Sequence, residues 1–146
     1  MNTTLRERKQ TDWLVVSCID FRLQRLLLEA LQTSFGVVDP DMIATSGGAR
    51  ALASDQTSPQ QQVILFDLNL AVTHHGVKQI VLLNHQNCGR YGLEGDTFSD
   101  ESAEVAFHRD ELTRATAWVR KHFPNIQVTA GLVQFSDNSL SIEAVA

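Results

Sequence analysis

Gln79-Ile80-Val81-Leu82-Leu83-Asn84-His85-Gln86-Asn87-Cys88-Gly89 is the stretch that decides the fold. Five residues, mostly apolar and rich in β-branched side chains, precede a polar, Gly-ended tail. That pattern predicts a buried strand over 79–83 that ends at Asn84-His85 and delivers His85 and Cys88 to its carboxyl edge. A second stretch repeats the design. Trp13-Leu14-Val15-Val16-Ser17 is a compact apolar run, followed at once by Cys18-Ile19-Asp20-Phe21-Arg22.

The segments between and beyond these runs alternate. Residues 1–12 read as a polar arm. Leu23, Leu26, Leu27, Ala30 and Leu31 fall on one helical face, with Gly36 as a stop. Asp41 to Thr45 predicts a short strand, and Ser46-Gly47-Gly48 a loop. Ser58, Pro59 and Gln61 spell a helix start with a capping box. That helix runs to about His75, stops at Gly76 and is apolar nearly all round, which predicts thorough burial. Gly89 to Gly95 reads as a loop and Asp100 to His122 as a helix, with Val105, Leu112, Ala115, Trp118 and Val119 near one face. Pro124 bars its continuation. A strand over 127–133 follows, then a turn at Asp137-Asn138 and a short return strand at Leu140-Ser141-Ile142.

Strands alternating with helices predict an α/β fold: a mostly parallel four-stranded sheet with helices on both faces and a short C-terminal antiparallel strand. Residues 13–146 read as a single domain. Functional sites in such sheets lie beyond the carboxyl ends of the strands, where Cys18 and His85 both fall.

Composition narrows the function. The chain has 146 residues, 43% of them apolar, and a formal charge of -5. An acidic chain with a pI near 5.4 is a poor match for sequence-independent nucleic-acid binding. No apolar run reaches the length of a membrane span, and Met1 to Asp12 lacks the apolar core of a secretion signal. A cytoplasmic location is expected. There, two cysteines in polar motifs point to metal or catalysis rather than to a disulfide.

Two thiolates and an imidazole, Cys18, His85 and Cys88, form a ligand set suited to one zinc ion, and three protein ligands leave a fourth position for catalysis. Taken alone, a cysteine at a strand end is a small buried hydrophobe. The case rests on both motifs ending neighbouring strands. Asp20 can reach the metal itself or pair with Arg22, whose guanidinium matches a carboxylate with two hydrogen bonds. A thiol enzyme with Cys18 as nucleophile and His85 as base is the competing chemistry. His74 and His75 are better explained by helix-end electrostatics than by metal binding, and His108 and His122 are expected to be exposed. Tyr91 either borders the pocket or simply packs. The acidic run from Asp96 to Glu104 reads as a helix N-terminus with favourable charge.

C-x-D-x-R after the first strand and H-x-x-C-G after the third, in that order, resemble the β-carbonic anhydrase family. The approach from Gly76 to Val81 and the closing segment from Asp137 to Ile142 are also similar, so the likeness spans about residues 13–142. The resemblance implies one zinc held by Cys18, His85 and Cys88, with Asp20 and Arg22 as a switching pair. In such a pair the aspartate either takes the fourth zinc position or turns to the arginine. It implies reversible hydration of carbon dioxide to bicarbonate by zinc-bound hydroxide, with Gly89 presenting a backbone N–H; Gly47 and Gly48, as a close-packed turn or anion nest, are further candidates for substrate binding. It also implies a homodimer or a multiple of dimers with the pocket at the interface. The same scaffold supports hydrolysis of carbonyl sulfide or carbon disulfide, or a non-catalytic zinc protein with Asp20 as permanent fourth ligand. The sequence departs from the family at Thr45-Ser46-Gly47-Gly48-Ala49-Arg50, where Arg-Asn-Ala-Gly is usual and Arg50 is the candidate stand-in. It departs also at Asn87, where an acid is frequent, and in the shortness of the arm.

Overall fold

Strands β1 (Trp13–Ser17), β2 (Asp41–Ala44), β3 (Gln79–His85), β4 (Gln127–Ser136) and β5 (Ser139–Val145) form one sheet in the order β2-β1-β3-β4-β5. The computed structural model describes residue 4 and residues 7–145. Residues 1–3 and 5–6 of the polar arm lie outside the described residues. β1 to β4 are parallel neighbours, and β5 returns antiparallel to β4. The α/β reading therefore holds. The last two strands are longer than expected because the hairpin keeps its pairing from Ser136–Ser139 out to Ala130–Val145.

Alternation along the strands sends successive side chains to opposite faces. Leu14, Val16, Ile80, Leu82, Val128 and Ala130 build a core against α3 (Pro59–His74), α5 (Glu101–His122) and the short 3-10 helix Gly48–Ala53. Val15, Val81, Leu83 and Val133 build the other, against α1 (Phe21–Gln24) and α2 (Leu27–Phe35). The single helix expected after Arg22 is divided at Arg25–Leu26, where the Leu26 N–H bonds back three residues to Leu23. Leu23, Leu27 and Leu31 stay aligned and buried across that tighter turn. The expected loop after Cys88 contains one more short helix, α4 (Gly89–Leu93).

α3 corrects two expectations. Ser58 caps it by accepting from the Gln61 N–H, but Gln61 does not close a capping box. Its amide instead donates to the Ala51 and Ser54 carbonyls, tying the 3-10 helix down. Nor is α3 thoroughly buried. Ile64, Leu68 and Ala71 face the core, whereas Val63, Phe66 and Leu70 are 62%, 70% and 44% exposed. One sheet face has room for only one side of the helix.

Gly48 locks the 3-10 helix onto β3. It has φ +58, and a Cβ there would lie 2.1 Å from the Leu83 carbonyl oxygen. Only glycine fits such an approach.

Candidate metal centre

β1 and β3 are parallel neighbours in register, so Cys18 and His85 emerge at the same carboxyl edge. Cys88 returns to that edge because Asn87 between them adopts a left-handed backbone, φ +53. The result is a buried cluster in which one ligand atom each from Cys18, His85 and Cys88 lies within 4.8 Å of the others.

Its geometry fits a metal. The Cys18 and Cys88 sulfurs are 3.8 Å apart. Two sulfurs bound at about 2.3 Å to a tetrahedral ion stand about 3.8 Å apart. His85 Nδ1 donates to the Gln86 carbonyl at 2.8 Å, which fixes the tautomer and leaves Nε2 as a lone-pair donor. That Nε2 is buried without a partner, and a buried polar atom without one needs an explanation. A cation between the sulfurs and Nε2 supplies it.

The sulfurs are differentiated electrostatically. Cys18 is lowered to about 4, first by the Cys88 thiol, then by His85 and the N–H groups of Asp20 and Gly47. Cys88 is pushed up, because it holds the shared proton against the Cys18 thiolate and is itself desolvated. The pair shares one proton across its 3.8 Å contact.

Asp20 caps α1 by accepting from the Arg22 N–H at 2.9 Å. Arg22 also grips it side-on, Nε to Oδ1 at 2.9 Å and Nη2 to Oδ2 at 2.7 Å. This fork holds Asp20 at about 2, below its ordinary range. Asp20 Oδ2 remains 3.8 Å from His85 Nε2. Arg22 also donates to the Asn87 carbonyl at 2.9 Å and lies over the Phe135 ring, which packs edge-on against His85.

Five of the expected residues thus converge: Cys18, Asp20, Arg22, His85 and Cys88. Gly47 joins them through its N–H toward Cys18. Gly48 spends its N–H on the Thr45 carbonyl. Gly89 opens α4, and a Cβ there would meet open space. Arg50 pairs with Glu94, Asp96 and Glu111 and stacks on the Tyr91 ring at 4.2 Å. His75 pairs with Asp41, and His74 and His122 are exposed.

His108 corrects the expectation of exposure: it is fully buried. The sequence reading also missed the stripe it belongs to. Glu101, Glu104, His108 and Glu111 follow one another at helical spacing on α5, and each reaches the segment that carries the ligands. Glu101 accepts from the Gln86 amide at 3.1 Å. Glu104 accepts from the Asn87 N–H. His108 Nδ1 lies 3.4 Å from the Asn84 amide, and Glu111 accepts from the Tyr91 hydroxyl. The signal was E-x-x-E-x-x-x-H-x-x-E, a polar stripe of helical period, which helix-end charge explained too readily.

A family model described as "Putative carbonic anhydrase" matches residues 8–146. The chain belongs to that family. Within this carbonic anhydrase family it is a divergent member. An uncharacterized protein of Rickettsia conorii is 28% identical over 130 residues, 87% of this chain and 69% of its own length. One from Rickettsia bellii is 26% identical over 127 residues, 85% of this chain and 77% of its own. In fold the chain is similar to the β-carbonic anhydrase isoform I of Trichomonas vaginalis (TM-score 0.59, 20% identity, 97% of this chain and 87% of that one). It is similar also to the Streptococcus mutans carbonic anhydrase (0.61, 15%, 95% and 84%). A carbon disulfide hydrolase in its apo form shares the fold as well (0.53, 15%, 87% and 75%).

Proposed function

We propose that residues 13–146 form one zinc domain that hydrates carbon dioxide reversibly to bicarbonate, with Cys18, His85 and Cys88 as ligands. One observation carries this reading: two sulfurs at tetrahedral spacing and an orphan imidazole nitrogen converge while the nearby carboxylate is turned to Arg22. When bound, zinc lowers the pKa of a coordinated water toward neutrality and so supplies a nucleophile at working pH.

The protein's own groups do the rest. Asp20 has no proton to give, because Arg22 keeps it ionised, so Oδ2 is an acceptor only. It would accept the hydrogen bond of a water or hydroxide in the site and so orient it. Arg22 keeps Asp20 from becoming a fourth ligand. Backbone N–H groups of Asp20 and Gly47 face the Cys18 sulfur and favour its thiolate form as a ligand.

We infer a homodimer, supported by the exposed Val63, Phe66 and Leu70 stripe on α3. We infer a cytoplasmic setting, because two ligand thiols 3.8 Å apart need reducing conditions to persist. Among the described residues no helix is long and apolar enough to cross a membrane.

Stopped-flow hydration assays on zinc-loaded and chelator-stripped protein test the activity, with carbonyl sulfide and carbon disulfide run beside carbon dioxide. Acceleration of carbon dioxide hydration that is lost with the metal supports the proposal. Turnover of the sulfur substrates alone reassigns the site to hydrolysis. No turnover of any of the three leaves a metal-binding protein without this chemistry.

A further inference from the structure

The loop that carries two of the three ligands is strained and yet well held. Asn87 is a non-glycine residue in the left-handed region, φ +53, a conformation that must be paid for by its surroundings. Its peptide groups are gripped from two sides. The Asn87 N–H donates to Glu104 Oε1, and the Asn87 carbonyl accepts from Arg22 Nη2 at 2.9 Å.

Glu104 has a buried neighbour one helical turn on: His108 Nε2 lies 3.6 Å from Glu104 Oε1, outside hydrogen-bond distance. The Asn84 amide faces His108 Nδ1 at 3.4 Å, which assigns Nδ1 as the acceptor and puts the ring proton on Nε2, facing Glu104. Polar groups thus line up from Asn84 and His108, across a 3.6 Å gap, to Glu104, Asn87 and Arg22. The line closes on Asp20, and it brackets His85 in sequence from both sides.

We propose that Glu104 is a positioning residue for the metal loop: it fixes the Asn87 peptide, and through that peptide's contact with Arg22 it sets both the approach of Cys88 to His85 and the direction in which Asp20 faces. A helix-end carboxylate that served α5 alone would need only its charge. Positioning needs an acceptor oxygen at this reach. The two roles therefore predict opposite outcomes for two conservative changes.

Glu104→Gln keeps the reach and an acceptor oxygen but loses the charge. Glu104→Asp keeps the charge but is one methylene short. The proposal rests on the zinc reading only for its metal-binding arm, so a metal-independent arm goes first. Amide exchange of the full chain without metal is followed by NMR. We expect the Asn87 amide to exchange at least about tenfold faster in Glu104→Asp and Glu104→Ala, and near the parent rate in Glu104→Gln. The β3 amides, unchanged throughout, report that the variants are folded. In the second arm, chelator competition and the cobalt absorption spectrum read the site directly. The Asp and Ala variants should bind the metal about 10–100-fold more weakly with an altered spectrum, and the Gln variant should stay close to the parent. An Asn87 exchange rate unmoved by Glu104→Asp overturns the proposal, as does a parent-like Asp variant beside an impaired Gln variant. A parent chain that takes up no metal overturns the zinc reading instead, while the exchange arm still decides the role of Glu104.

Discussion

Arg22 holds Asp20 by two parallel contacts, 2.9 Å to Oδ1 and 2.7 Å to Oδ2, while the same guanidinium reaches the Asn87 carbonyl at 2.9 Å. One side chain thus connects the end of β1 to the loop after β3. The fork lowers Asp20 from 3.8 to about 2. A folded-state carboxylate below its unfolded value stabilises the fold above the unfolded pKa and loses that stabilisation as pH falls through the folded one. Arg22→Gln should therefore cost about 1–2 kcal/mol at neutral pH, and the gap from the parent should close between about pH 4 and pH 2. Urea titrations of both proteins across that range measure it. A gap that is constant down to pH 2 contradicts the pairing.

His108 gives a second, distinct pH window. Burial lowers it to about 4, against the opposing pull of Glu104, and His85 and Arg50 push in the same direction as burial. Glu111 and Tyr91 complete the buried polar groups near it. A histidine with a depressed folded pKa contributes stability that is fully present above its unfolded value of 6.5 and fades as pH falls toward 4. Stability should drop by about 2–3 kcal/mol over that interval. His108→Gln should lose most of this slope while remaining folded, as read by denaturation at pH 7, 6, 5 and 4. An equal slope in the variant would locate the acid sensitivity elsewhere.

Gly48 and Gly47 should respond unequally to alanine. At Gly48 the new Cβ meets the Leu83 carbonyl at 2.1 Å, backbone that cannot retreat without breaking the β3 ladder. Gly48→Ala should cost about 3–5 kcal/mol or prevent folding. At Gly47 the nearest atoms are Arg90 Cγ and Arg50 Cβ at 3.1 and 3.3 Å, a tight fit that needs shifts of a few tenths of an ångström rather than displacement of a strand, so with the left-handed backbone the cost is about 1–2 kcal/mol. Expression and thermal melts of the two variants should rank them in that order.

Phe66 tests the assembly. It is 70% exposed on α3, flanked by Val63 and Leu70 on the same side. Sedimentation should show the parent as a dimer, and Phe66→Asp should weaken association by about 30-fold or more, the loss typical of a central apolar contact. The melting temperature of the dilute monomer should not change, because Phe66 packs on nothing within its own chain's core. A monomeric parent at high concentration would remove the dimer from the proposed function.

The sequence alone determined a good deal. The runs Trp13–Val16 and Ile80–Leu83 are strands because four apolar residues in a row can be buried on both faces only inside a covered parallel sheet. Local spacing brought Asp20 beside Arg22 and His85 beside Cys88, and strand adjacency put the two motifs at one edge. Tertiary structure alone decided three further matters. That Asp20 faces Arg22 is seen only in the structure, where the same guanidinium also reaches the Asn87 carbonyl, a contact across 65 residues. Periodicity cannot tell which side of an all-apolar helix meets the sheet, so the exposure of Val63 and Phe66 on α3 was invisible. A histidine on a polar stripe reads as solvent-facing until its partners are known. His108 is buried because Asn84, Glu104 and Tyr91, from three separate segments, pack around it, and such neighbours are set by the tertiary fold rather than by the periodicity of α5.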